Sequence, residues 1–106
     1  MDETEFAALA EQVLERIEAS LEESGVDADV ELKPGGVIEI EFADGSRMVI
    51  NRHAAAREIW VAARAGGFHF RWDGAAWRDT RAGTELFAAL STLVSAQSGQ
   101  SVLLRP

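Results

Sequence analysis

Between Glu3 and about Ser24, the apolar residues Phe6, Leu9, Ala10, Val13, Leu14, Ile17 and Leu21 recur at the spacing of one helical face. This predicts an amphipathic helix. Thr4 or Asp2 can cap its start, and Gly25 can take the left-handed conformation that ends it. Each helical residue turns the side-chain direction by about 100°. Glu11, Glu15, Glu18 and Glu22 therefore gather in a narrow arc opposite the apolar face, as an acidic stripe. After Gly25 the period shortens to two: Val26, Ala28, Val30 and Leu32 alternate with Asp27, Asp29 and Glu31, so a strand would hold three carboxylates on one face. "PGG" turns the chain into "VIEIEFADGSRMVIN", which reads as a hairpin about Asp44-Gly45. Ile38, Ile40, Phe42, Met48 and Ile50 would face inward, and Glu39, Glu41, Arg47, Val49 and Asn51 outward.

Residues 53–65, "HAAAREIWVAARA", carry two signals. Their composition favours helix, yet no good cap precedes them. From about Arg57 they also alternate, with Ile59, Val61 and Ala63 on one side and Glu58, Trp60 and Ala62 on the other. The next stretch strengthens the strand reading, for Phe68, Phe70 and Trp72 alternate with His69, Arg71 and Asp73 after an expected turn at Gly66-Gly67. Asp73-Gly74 marks a further hairpin leading to a short strand at about Ala75 to Asp79. Thr84 is the expected cap of a second helix with Leu86, Phe87, Leu90, Leu93 and Val94 inward; Gly99 ends it, and "SVLL" is expected to dock as a tail. Helix, five or six strands, helix is an α+β order. It predicts a two-layer α/β sandwich, with N- and C-terminal helices on one face of a mostly antiparallel sheet and the other face open to water.

Length and composition narrow this further. A chain of 106 residues, with 47 % hydrophobic and 26 % charged residues, suits one globular domain over residues 1–106 rather than a disordered segment. No apolar run reaches the roughly 18 residues of a membrane span. The start "MDETEF" is acidic where a secretory signal is basic, so the expected location is cytoplasmic, with no membrane association. Cysteine is absent, which excludes disulfides, thiolate-bound metals, persulfide carriage and a cysteine nucleophile. The net charge of -8 is lopsided: residues 1–31 hold eleven acids against Arg16 alone, and the other 75 residues hold nine bases and seven acids. Such a field repels nucleic acid and favours cations or a basic protein surface.

Two features are candidates for function. Clustered carboxylates are hard oxygen donors, suited to iron, manganese, calcium or magnesium in weak and plural sites; the competing reading is a solvated helix face that keeps the chain soluble. The second feature is Trp60, which the strand reading sets on the open face with Asn51, His69 and Arg71, an arrangement that suits a protein contact; a register slip of one residue would put it in the core instead. His53 and His69 are the only histidines, and each alone reads as a surface residue. No catalytic residues emerge, since there is no nucleophile turn and no phosphate or dinucleotide glycine motif.

The motifs "EFAALAEQVLERIEASLEE", "DADVEL", "GGVIEIEFADGSRMVINR", "EIWVAARAGGFHF", "DGAAW" and "GTELFAAL", in this order, resemble the frataxin family, most closely its bacterial members, across nearly the whole chain. The resemblance implies the two-layer sandwich already inferred. It also implies a protein that binds iron (Fe²⁺ or Fe³⁺) weakly through an acidic ridge and modulates iron-sulfur cluster assembly. Its implied partners are an IscS-like cysteine desulfurase and an IscU-like scaffold. The metal-binding residues carried over are Glu11, Glu15, Glu18, Glu22, Glu23, Asp27, Asp29 and Glu31, and the implied partner contact is Asn51, Trp60 and His69. A monomer is expected, with iron-dependent oligomers as a variant. The alternative function is ferroxidase or iron-storage activity on the same carboxylates. Three departures stand out: Ala19 lies where the bacterial family commonly has another acid, "HAAAR" replaces a more polar approach to the Trp strand, and Arg71 places a cation where an acid is expected.

Overall fold

The computed structural model describes all 106 residues. Its order is α1 (Glu3–Ser24), β1 (Ala28–Lys33), β2 (Val37–Phe42), β3 (Arg47–His53), β4 (Glu58–Ala63), β5 (Gly66–Trp72), β6 (Trp77–Asp79) and α2 (Leu86–Ser98). The six strands form one antiparallel meander in chain order, so every connection is a local hairpin. Both helices cover one face, which is the predicted architecture. The competition over residues 57 to 63 is won by strand, because β4 pairs on both sides: Ile50 faces Val61, and Val61 faces Phe68. A helix there would leave β3 and β5 without the partner their backbone groups need.

Alternation decides what is buried. Ile38, Ile40, Phe42, Met48, Ile50, Ile59, Val61, Phe70 and Trp77 point to the helix side and join Phe6, Ala10, Val13, Leu14, Ile17 and Leu21 of α1 with Leu86, Phe87, Leu90 and Val94 of α2 in one core. Leu93 is only half-buried at the edge of that core. Asp2 caps α1 by accepting the Glu5 N–H at 2.8 Å, and Gly25 ends it at φ +70°.

The tail docks as expected, and serine hydroxyls hold it. Val102 and Leu104 are buried while Leu103 between them is exposed. Ser95 accepts the Val102 N–H at 2.9 Å, Ser91 the Leu104 N–H at 2.8 Å, and the buried Ser20 of α1 the Arg105 N–H at 2.8 Å. The tail thus finds on two helices the backbone partners that a strand finds in a sheet.

Four expectations shift. Thr84 does not cap α2; Glu85 does, accepting the Phe87 and Ala88 N–H groups at 2.8 and 3.0 Å. A carboxylate with two oxygens satisfies two orphan donors where a hydroxyl satisfies one. The turn after β4 is Arg64-Ala65 rather than Gly66-Gly67, for Ala63 pairs with Gly66 and Ala62 with Gly67. Gly66 nevertheless serves the turn, because its φ of +142° is a value that side-chain-bearing residues rarely adopt. β6 begins at Trp77 instead of Ala75, since Asp73 bonds the Ala75 and Ala76 N–H groups in the turn. Leu32 follows the inward parity but is 55 % exposed, because β1 is an edge strand and Leu32 lines the open groove between the sheet and α1 rather than the closed core.

This separates two apolar residues of the same inward parity. Ile40→Ala should cost about 2–5 kcal/mol, whereas Leu32→Ala should stay within about 0.5 kcal/mol of the parent. Urea unfolding of both variants checks it, and a large loss at Leu32 would contradict the described edge.

Candidate functional site

The acidic stripe lies where helical spacing puts it. Glu11, Glu15 and Glu22 are exposed and Glu18 is half-buried. Of the eight carboxylates expected to meet metal, only Glu23 has an ion-pair partner, Arg16 at 3.1 Å. Glu11, Glu15 and Glu18 form one wall of a groove of about 410 Å³, whose other side includes Lys33 and Arg52. Gly36 makes room for that arginine: a Cβ at Gly36 would come within 2.7 Å of the Arg52 side chain.

The strand acids sit elsewhere. Asp29 and Glu31 project to the open face, beside Glu39 and Glu41. The register sets Asp29 opposite Glu41 and Glu31 opposite Glu39, like-charge pairs that weaken an antiparallel ladder. Arg47 relieves part of this by reaching Glu39 at 3.2 Å and Glu41 at 3.3 Å, and Lys33 reaches Glu39 at 3.5 Å. Asp29 and Glu31 keep their charge unpaired. The ridge is therefore split about the β1 edge, with Asp27 at the junction, where its N–H is held by Gln100 at 2.8 Å. No three His, Asp or Glu side chains come together as a metal-holding group. The chemistry available is attraction of cations by a dense negative field and exchangeable one- or two-carboxylate contacts, without a rigid cage.

Trp60 stands on the open face, in one row with Asn51 of β3 and His69 of β5. The two histidines sandwich it: the His53 ring stacks at 3.7 Å between centroids and the His69 ring at 4.4 Å, with planes within 9°. Backbone bonding holds His53 in place, since its Nδ1 accepts the Ala56 N–H at 3.3 Å. Asn51 donates from Nδ2 to the Arg52 carbonyl at 3.2 Å.

Sequence reasoning missed Glu58. Its outward parity was legible, but it is 5 % exposed, the one buried carboxylate of the chain. Its Oε1 accepts the Trp60 indole N–H at 2.8 Å and lies 3.6 Å from His69 Nδ1, and its Oε2 accepts from Arg71 at 2.6 Å. The signal was a Glu two residues before the Trp, together with an Arg two residues after the His on the paired strand. Burial pushes the Glu58 carboxyl up, but the Trp60 and Arg71 hydrogen bonds and the Arg71 and His69 charges outweigh it, leaving the group below its ordinary 4.5. In the hairpin turn, the Ser46 hydroxyl, the Ser46 N–H and Arg64 together lower Asp44 to about 2.

Comparison with known proteins fits this geometry. The family model of the frataxin-like domain matches residues 1–100. The chain belongs to the frataxin family. It is 65 % identical over 105 residues to the iron-sulfur cluster assembly protein CyaY of Dechloromonas aromatica, covering 99 % of this chain and 100 % of that one. It is 53 % identical to the protein of the same name from Cupriavidus necator, over 98 % of this chain and 96 % of that one. A solved frataxin from Psychromonas ingrahamii superposes with a TM-score of 0.90 at 31 % identity, over the whole of both chains. Trimeric yeast frataxin from Saccharomyces cerevisiae, complexed with ferrous iron, superposes at 0.72 with 30 % identity over 86 % of each chain. Within this frataxin fold, the α1 acids and Trp60 lie on opposite sides of the sheet, whereas Asp29 and Glu31 share the open face with Trp60, at its β1 edge.

The sign of the Glu58 contribution comes from its lowered pKa. A carboxylate held below its unfolded value stabilises the fold above that value and ceases to do so as the pH falls. The stability gap between the parent and Glu58→Gln should be full above 4.5 and close on further acidification, as read by urea unfolding across pH. A gap independent of pH would contradict the ionised, bonded carboxylate.

Proposed function

We propose that this chain is an iron-responsive regulator of iron-sulfur cluster assembly. Glu11, Glu15, Glu18, Glu22, Glu23, Asp27, Asp29 and Glu31 take up Fe²⁺ or Fe³⁺ weakly and steer the chain onto the basic surface of an IscS-like cysteine desulfurase. The open face with Asn51, Trp60 and His69 meets the desulfurase-scaffold complex, in which the scaffold is IscU-like. The observation that carries this reading is the set of ridge carboxylates without ion-pair partners: seven of the eight, spread over a helix face and a strand edge, with no three of them converging. A chelating store would need convergent ligands. An electrostatic docking surface whose charge a bound cation lowers needs only density, and iron binding then weakens or redirects docking by neutralising it. The names of the bacterial relatives, iron-sulfur cluster assembly protein, and the ferrous complex of the yeast frataxin support the same reading.

Lacking cysteine, the chain cannot donate sulfur or ligate a cluster through thiolates, so its effect must come through iron or through its partners. The ferroxidase alternative calls for carboxylates aimed inward at a pair of irons, as in helical-bundle oxidases. The ridge acids point to solvent.

The test is binding of purified desulfurase to the parent and to Glu18→Lys/Glu22→Lys. The double reversal should weaken binding about tenfold at low salt, and the gap should narrow as the Debye length shrinks from about 30 Å at 0.01 M to about 8 Å at 0.15 M. Binding indifferent to the reversals would refute the ridge model. Titration with Fe²⁺ should shift backbone resonances of α1 and β1 in the parent. Oxygen consumption above a free-iron blank would instead favour the ferroxidase.

A further inference from the structure

An ionised carboxylate buried under an otherwise open sheet face needs a reason, because its desolvation penalty must be offset by its partners. Glu58 has three such neighbours, and all three belong to the face that the proposed function assigns to the partner complex. Trp60 commits its only polar group, the indole N–H, to Glu58 Oε1. Arg71, with a 65 % exposed side chain, is anchored through one nitrogen to Glu58 Oε2 and keeps its other donors free. His69 stacks on one face of the indole with Nδ1 turned toward the same carboxylate, while His53 covers the other face. The indole therefore has both faces covered and its N–H occupied, and only its carbocyclic edge can touch another molecule.

We infer that Glu58 is the positioning residue of this contact surface, fixing Trp60 and Arg71 in one rigid plate that presents an apolar indole edge beside a guanidinium. The inference rests on the reading that this face meets the desulfurase-scaffold complex. The matching partner segment offers an apolar side chain to the edge and a carbonyl or carboxylate oxygen to Arg71. The plate is ordered before binding, so docking does not have to pay the entropy of ordering a Trp and an Arg side chain. Glu58 itself is covered by these side chains, so it acts through the two residues that it holds.

The experiment compares the parent with Glu58→Leu and Glu58→Gln, with Glu58→Ala as a second truncation should Leu disturb folding. The Trp60 indole N–H resonance, assigned by its loss in Trp60→Phe, reports positioning without any partner. Glu58→Leu should shift that resonance and speed its exchange with water, and should weaken binding to the purified desulfurase-scaffold complex about tenfold, the scale of one hydrogen bond. Gln keeps an acceptor for the indole, so Glu58→Gln should retain the protected resonance and recover binding to within about threefold of the parent. An indole resonance unmoved in the Leu and Ala variants overturns the inference, as does lost binding with an unmoved indole, or failure of Gln to rescue both readouts. If the parent binds and Trp60→Ala binds equally well, the docking reading of this face falls instead, while the indole resonance still decides what Glu58 holds.

Discussion

Burial of Ile40, Met48, Ile50, Ile59 and Phe70 beneath α1 and α2 fixes the register of the whole meander. Slipping any one strand by a residue would turn its core set to water and its polar set into the core. Each of these side chains adds about 1.5–3 kcal/mol when fully buried, so a single slip would cancel a large share of the roughly 5–15 kcal/mol by which a domain is typically stable. The polar residues inherit this precision. Asn51, Trp60 and His69 meet in one row, and Glu58 meets Arg71 in the next, because the hydrophobic side of the same strands permits only that alignment. The arrangement of the open face is a consequence of the core, read from its reverse side.

The same constraint explains what the sequence disclosed. Period-two alternation with β-branched and aromatic inward positions made β2 to β5 and the placement of Trp60 legible, and the heptad-like spacing of Phe6, Ala10, Val13, Ile17 and Leu21 did the same for α1. Even the helix-like composition of "HAAAREIWVAARA" yielded to alternation, since propensity is worth tenths of a kcal/mol per residue and two-sided pairing is worth more. What stayed hidden depended on distance across strands or on chain ends. The exposure of Leu32 comes from its place at the end of an edge strand, which parity cannot express. The burial of Glu58 comes from the bulk of Trp60, two residues along the same strand, and the reach of Arg71, a neighbour only after the register is known. The eight ridge residues lie at the surface, and their division about β1 follows from the inward parity of Val30 beneath α1; what parity does not express is that Arg47 and Lys33 reach Glu39 and Glu41 and leave Asp29 and Glu31 unpaired.

That division has a physical use. Residues on α1 and the β1 edge carry charge that the neighbouring cations leave largely unpaired, since Arg16, Lys33 and Arg47 are committed to Glu23, Glu39 and Glu41. The fold tolerates this because the acids are solvated and spread over about 22 residues of helix and a neighbouring strand, so repulsion is screened within roughly 8–10 Å. A solvated field acts at range and fades with salt. It selects and orients a cationic partner, yet it supplies little contact specificity.

The Trp60 face has the complementary properties. Its central carboxylate is buried, its aromatic rings are stacked, and its hydrogen bonds are made before any partner arrives. A pre-ordered plate adds nothing to long-range attraction but discriminates among surfaces that are already close, because a mismatched partner meets an indole edge that cannot rotate and a guanidinium whose position is fixed. One sheet with helices on a single side provides both surfaces without an added domain. Its edge strand and covering helix present the field, and its uncovered centre presents the plate. On the proposed function, association would divide between a part that sets the rate of encounter and a part that sets the lifetime of the complex, which is the separation expected wherever rim charge and a desolvated aromatic anchor lie on different elements.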